Sequence, residues 1–294
     1  MTETAPKIPL DDISTVVWDA DNTLWDWVGY AVHAYERMRD FIAEISGKSP
    51  EETTAMMRTF YGEKKTLENE GLVQWLNEHG LFDDCENFDE TEVILRVREE
   101  FEAARSEGFH VYDGIIEVMI ELRARGIRQV ILTDAPWNQA LSRLERAGLI
   151  PYIDKICGMP MAEIDVPDEL RSKRDLSKYP QIQVVEKAKP DTELESVVEM
   201  VRERIANEVV IIGDNGPKDM GLGEKYGCHR IWAKYGTASD ELSSRISAFA
   251  EPHTAARNMQ RPETPELPES WNKDGKMFIA NESTDIFQIF GLAA

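Results

Sequence analysis

Residues 15–23 read Thr-Val-Val-Trp-Asp-Ala-Asp-Asn-Thr, an apolar run that stops at two carboxylates one residue apart. A β-branched and aromatic run without polar alternation marks a strand buried on both faces, so residues 15–18 predict a central strand of a parallel sheet. Asp19 and Asp21 then stand at its carboxyl end, the edge where such sheets present functional groups. Alternation in the emerging chain can turn both carboxylates into one crevice, one as a nucleophile and the other as a proton donor and acceptor. Two carboxylates so close repel, which calls for a cation beside them. The same residues also suit a plain Asx turn at Asp21-Asn22.

Further apolar runs occur outward from this stretch, at residues 128–133, 154–157, 208–213 and 228–233, with helical patterns between them. That alternation predicts an α/β fold with a doubly wound, Rossmann-like parallel sheet. Helices over 113–125 and 137–147 are expected to end in left-handed caps at Gly126 and Gly148. Between Asp26 and Gly108 the pattern changes to helical spacing: Val28, Val32, Tyr35, Phe41, Ile42 and Ile45, later Leu72, Trp75 and Leu76, then Val93, Val97 and Phe101. The expectation is an inserted α-helical cap domain at 26–108, set into a discontinuous catalytic core of 1–25 and 109–294. Residues 161–186, charged and carrying Pro167 and Pro180, read as a surface excursion, and the four prolines of 251–272 as an extended linker. Residues 277–280 predict a final strand.

Composition narrows the function. The formal net charge of −22 argues against nucleic acid, whose binding needs clustered Lys and Arg. An anionic substrate is repelled at long range as well, so a phosphate site must carry its own positive charge, which a bound divalent cation would supply. Three scattered cysteines form no C-x-x-C pair and suggest neither disulfides nor zinc. The first eleven residues lack a basic start followed by an apolar run, and no stretch approaches the roughly 20 apolar residues of a membrane span, so a soluble, cytoplasmic protein is expected. The five histidines stand in no metal-ligand spacing.

Three more clusters join the first. Thr133 leaves its strand as Asp19 does, and its hydroxyl can donate to a phosphate oxygen or cap the segment near Pro136. Lys189, in Lys-Ala-Lys-Pro-Asp, precedes a helical pattern over 192–205 and can reach a phosphate and keep an acidic nucleophile ionised, although single lysines are usually solvated. Residues 213–219, Gly-Asp-Asn-Gly-Pro-Lys-Asp, follow an apolar strand and present Asp214 and Asp219 from one loop. Such hard oxygens suit magnesium, and the same residues also make a good turn.

In this order and on these edges, the four clusters resemble the haloacid dehalogenase superfamily over residues 16–233. The resemblance implies a doubly wound core with a mobile helical cap, and makes Asp19 the nucleophile that becomes transiently phosphorylated and Asp21 the general acid and base. Thr133 and Lys189 fall on phosphate-holding positions. Asp134, which follows Thr133, stands where many relatives carry an amide or a small residue, and is counted with the phosphate-binding set. Mg2+ would be held by the Asp19 side chain, the Asp21 carbonyl and Asp214, with Asp219 supporting through water or Lys189. The implied reaction is hydrolysis of a small-molecule phosphate monoester. Alternatives are a phosphomutase, a carbon–halogen hydrolase, whose branch generally lacks the second Asp, and a non-catalytic binding protein. Trp25, Trp27, Tyr30, Phe60 and Trp75 could meet an apolar substrate, although core packing of the cap explains most of them.

Overall fold

Side chains alternate across the first strand, β1 (Thr15–Trp18): Val16 and Trp18 enter one apolar cluster and Val17 the other. The period of two therefore gives the sheet two buried faces, and both must be covered. The computed structural model describes residues 7–161, 176–250 and 272–292. In it, β1 is joined by β2 (Arg128–Pro136), β3 (Lys155–Met159), β4 (Gln181–Val184), β5 (Val209–Gly213), β6 (His229–Ala233) and β7 (Met277–Ala280). All pairs are parallel, and the seven strands run in the order β4-β3-β2-β1-β5-β6-β7.

The order reverses at β1, so its carboxyl end opens on the crevice of a topological switch point. Trp18 lies opposite Ile131 of β2 and Ile212 of β5, which brings the exits of all three strands together.

Four helices follow β1 within residues 27–108: α1 (Trp27–Ser46), α2 (Pro50–Lys64), α3 (Leu72–Glu78) and α4 (Glu90–Gly108). Side chains cap the starts of α1, α2 and α4. The Asp26 carboxylate accepts from Gly29 N at 2.8 Å, Ser49 and Glu52 form a reciprocal capping box, and Asp89 accepts from Glu92 N at 3.0 Å. Trp25, Phe60 and Trp75 are buried packing residues here.

On one face of the sheet lie α5 (Ile115–Ala124) and α6 (Trp137–Arg146); on the other lie α7 (Leu194–Val198), α8 (Arg202–Glu208) and α9 (Gly221–Tyr226). Gly126 and Gly148 take φ of 76° and 68°, the expected left-handed stops. Beyond β6, α10 (Asp240–Ser247) packs on α1, where Arg245 pairs with Glu36 at 2.7 Å.

Three details depart from the sequence expectation. The helix expected over 192–205 is two helices, because Glu199 adopts φ of 60° and ends α7 after one turn. An edge strand, β4, sits inside the stretch read as a surface excursion; polar Gln181 and Gln183 hid it. β2 also runs on to Pro136, with its pairing to β3 shifted between Leu132 and Pro136, and the irregularity falls on Thr133 and Asp134. Residues 162–175 of the excursion and 251–271 of the linker lie outside the described residues. Among the described residues no helix is long and apolar enough to cross a membrane.

Candidate active site

Asp19 emerges from the centre of the sheet with its backbone N–H donating to Ile212 O at 2.8 Å. The loop that follows is held from several sides. Asn22 takes φ of 60° and its side-chain oxygen accepts from Trp27 N and Val28 N, tying the loop to the start of α1. Tyr235 donates to Thr23 O at 2.8 Å, and Gly236 lies so close that a Cβ there would sit 1.7 Å from Asn22 O. Gly236→Ala is therefore expected to cost about 1–3 kcal/mol, as overpacking does, and to lower turnover. Denaturant unfolding and steady-state rates test this, and wild-type values in both would contradict it.

Beyond β5, Asn215 caps a π-helical turn (Gly216–Met220) by accepting from Lys218 N at 3.1 Å. This turn carries Asp219 back beneath Gly213, where a Cβ would fall 2.2 Å from the Asp219 carboxyl carbon, so the close approach needs glycine. Carboxylate oxygens of Asp19, Asp214 and Asp219 lie within 4.8 Å of one another. Lys189 joins them, donating from Nζ to Asp19 Oδ1 at 2.5 Å and to Asp219 Oδ1 at 2.6 Å. The other Asp219 oxygen accepts from Asn215 N at 3.0 Å.

One ammonium among three carboxylates, of which Asp19 and Asp219 are buried and Asp214 is half-buried, leaves negative charge uncompensated. Burial, then the Asp19 and Asp219 charges, push Asp214 well above the usual carboxylate range. Burial likewise raises Asp219 to about 7 against the opposing Lys189. Lys189 is held above its ordinary value because Asp19, Asp219 and Asp134 outweigh its desolvation. Hard oxygens with excess negative charge fit a divalent cation such as Mg2+, and Asp214, with fewer hydrogen-bond partners than Asp219, offers the freer oxygens.

These shifts predict a pH dependence. Acids whose folded pKa is raised bind more protons when folded, so their contribution to stability falls as pH rises from the unfolded value of 3.8 through about 7. With chelator present, the melting temperature should therefore drop between about pH 5 and about pH 8, and saturating Mg2+ should flatten the slope. Parallel curves with and without Mg2+ would contradict this.

Thr133 is buried at the break in register of β2, and its hydroxyl oxygen accepts from Ala135 N at 3.1 Å. Asp134 turns toward Lys189: its Oδ1 accepts from Lys189 N at 3.0 Å, and its Oδ2 pairs with Lys218 Nζ at 2.9 Å. Burial pushes Asp134 up, but the two lysines outweigh it and hold the carboxylate below its ordinary value. Both oxygens are thus engaged by the chain, and the geometry makes Asp134 a positioning residue for Lys189.

Asp21 faces a second network. Oδ1 accepts from Trp25 Nε1 at 2.7 Å and Oδ2 from Arg143 Nη1 at 2.7 Å. Arg143, on α6 and nearly buried, also pairs with Glu68 from the segment between α2 and α3, which links the helical insertion to the Asp21 loop. Burial raises Asp21 to about 7, with Arg143 as the main opposing influence. Neither Arg143 nor Glu68 was legible as a site residue. A faint signal existed for Arg143, an arginine beside Ala140, Leu141 and Leu144 on the apolar face of α6; Glu68 had none.

The family model of haloacid dehalogenase-like hydrolases matches residues 13–227. Among solved structures, a 2-haloacid dehalogenase from Pseudomonas syringae pv. Tomato DC3000 aligns at 20% identity with TM-score 0.51, covering 95% of this chain and 98% of its own. A HAD phosphatase from Thermococcus onnurineus aligns at 15% identity with TM-score 0.49, covering 95% and 98%. At 20% identity the likeness to the first of these is one of fold. No curated protein matches the sequence.

Proposed function

The chain belongs to the haloacid dehalogenase-like hydrolases, and on that premise we propose that it hydrolyses a small-molecule phosphate monoester with the aid of Mg2+. The observation that carries this reading is the pairing of two unlike carboxylate environments. Asp19, Asp214 and Asp219 cluster around Lys189, while Asp21, two residues from Asp19, is half-buried with its pKa raised to about 7. A carboxyl poised there can donate and accept a proton in one cycle. Displacement of a halide needs no proton donor and no cation, so a carbon–halogen hydrolase would leave both features without a role.

When bound, Mg2+ would supply the charge that lets an anionic phosphoryl group approach an anionic carboxylate. Asp19, Asp214 and the Asp21 carbonyl would hold it, with Asp219 fixing Lys189 beside them. Lys189 adds a second charge, and Thr133 can donate its hydroxyl to a phosphoryl oxygen. Asp19 forms a bond to phosphorus as the ester P–O bond breaks, and Asp21 gives its proton to the departing oxygen. Water then attacks phosphorus, Asp21 recovers a proton from it, and the P–O bond to Asp19 breaks, releasing inorganic phosphate. Residues 26–108 are proposed as a cap that excludes water during these steps, over a core of 1–25 and 109–294. A cytoplasmic location belongs to the same proposal, supported by three free cysteines.

A Mg2+-dependent screen of phosphate esters tests the reading. Within it, Asp21→Asn should lower kcat/KM, which reports the step that expels the alcohol, by about 10²–10⁴-fold for alkyl esters, and much less for para-nitrophenyl phosphate, whose leaving group needs no proton. Equal losses of kcat/KM on both substrates would remove Asp21 from protonation of the leaving group.

A further inference from the structure

A cavity of about 140 Å³ lies among α1, α2, α3 and α4 and reaches the core at Gln139 and Arg143 of α6. Much of its wall is apolar, with Tyr35, Met38, Tyr61, Ile94 and Val97 all buried. An apolar cavity of about 150 Å³ is enough for benzene, so the space suits a ring-sized body.

Its polar lining is incomplete. The Tyr30 hydroxyl, the Nε of Arg105, the Nε of Arg143 and the Gln74 amide oxygen are buried without a hydrogen-bond partner, and all four residues line this cavity. Tyr30 is 1% exposed, and Arg105 and Arg143 are each 4% exposed. Folded proteins leave few such groups unpaired, and three donors around one apolar space call for an acceptor.

The formal charges balance. Arg143 pairs with Glu68, Arg98 with Glu70 at 2.6 Å and Arg105 with Glu102 at 2.6 Å. Three carboxylates oppose a second anion, three guanidiniums oppose a cation, and a polyol would set several hydroxyls against apolar walls.

We infer that this cavity receives the alcohol part of the phosphate ester, and that this part is a neutral, largely apolar group of benzyl size carrying one acceptor oxygen. The inference rests on the phosphate-ester reading and names its substrate class. Arg143 joins the two places, because it lines the cavity while its Nη1 donates to Asp21. A leaving oxygen beside Asp21 therefore has its organic body directed into the helical insertion. Trp27 and Tyr30, read from the sequence as available for such contact, both line the cavity.

The test compares benzyl phosphate, meta-hydroxybenzyl phosphate, glucose phosphate and acetyl phosphate. The expected kcat/KM for benzyl phosphate exceeds that for glucose phosphate by about 100-fold or more, and the hydroxybenzyl ester does better still. Tyr30→Phe should erase the advantage of the hydroxyl. Filling the cavity with Val73→Phe or, separately, Val97→Phe should lower the benzyl-to-acetyl ratio by about tenfold or more, with circular dichroism confirming the fold. Turnover of acetyl phosphate without preference for the benzyl ester would overturn the inference and leave the phosphatase reading standing. Absence of Mg2+-dependent turnover on all four substrates would sink that reading instead. Calorimetric binding of benzyl alcohol to the wild type then decides the cavity alone: binding weakened about tenfold by Val73→Phe supports it, and no binding overturns it.

Discussion

Asp19→Asn is expected to lower turnover of a phosphate monoester by about 10⁴-fold or more, the scale seen when a group central to a catalytic constellation is removed. The change keeps the shape of the side chain and the backbone bond from Asp19 N to Ile212 O, so the fold should persist. An amide is a far poorer nucleophile than a carboxylate, and the loss should therefore appear in kcat with little change in KM. The substitution also relieves repulsion, because Asp19 helps to push Asp214 and Asp219 upward. Metal-free Asp19→Asn should thus melt no lower than the wild type at neutral pH. A variant that retains most of its turnover would remove Asp19 from the nucleophile role. One that unfolds would show instead that its ion pair with Lys189 dominates the local energetics.

Lys189→Met should have the largest effect on stability. Lys189 is 6% exposed and contacts two carboxylates directly, with a third, Asp134, holding its backbone. Removing one partner of a buried ionic cluster typically costs about 3–5 kcal/mol, because the remaining charges stay buried and unpaired. With the ammonium gone, the carboxylates have still more reason to hold protons, so the variant should regain stability as pH falls. Turnover should collapse too, since the phosphoryl group loses a fixed charge. Thermal unfolding at neutral and mildly acidic pH checks both signs. A melting temperature unchanged at neutral pH would mean that the three carboxylates are solvated more than their burial implies.

Much of this was readable in the chain because it rests on local rules. β1, β5 and β7 follow from continuous apolar runs, and Gly126 and Gly148 end their helices with the left-handed turns that glycine favours. The four clusters were legible because each follows a strand or precedes a helix. Their contact depended on strand order: only β2 and β5 flanking β1 bring Thr133 and Asp214 to Asp19. Long-range pairing hid the rest. Asp134 could be placed beside Thr133 in sequence, but its engagement with Lys189 and Lys218 crosses from β2 to two later loops. Arg143 and Glu68 are separated by 75 positions, and nothing in either segment announces the other. Edge strand β4 lacked the apolar run that marks a central strand, and Glu199 gave no composition signal for its left-handed turn.

The account turns on Asp19 carrying the phosphoryl group. The most direct measurement is mass spectrometry of the protein after acid quench during steady turnover with Mg2+, followed by borohydride reduction and peptide mapping. The result expected is a phosphorylated peptide containing Asp19, converted by borohydride to the corresponding alcohol at that residue and absent from Asp19→Asn. Turnover at full rate with no modified Asp19 under quench, or a phosphoryl group on another side chain, would contradict it.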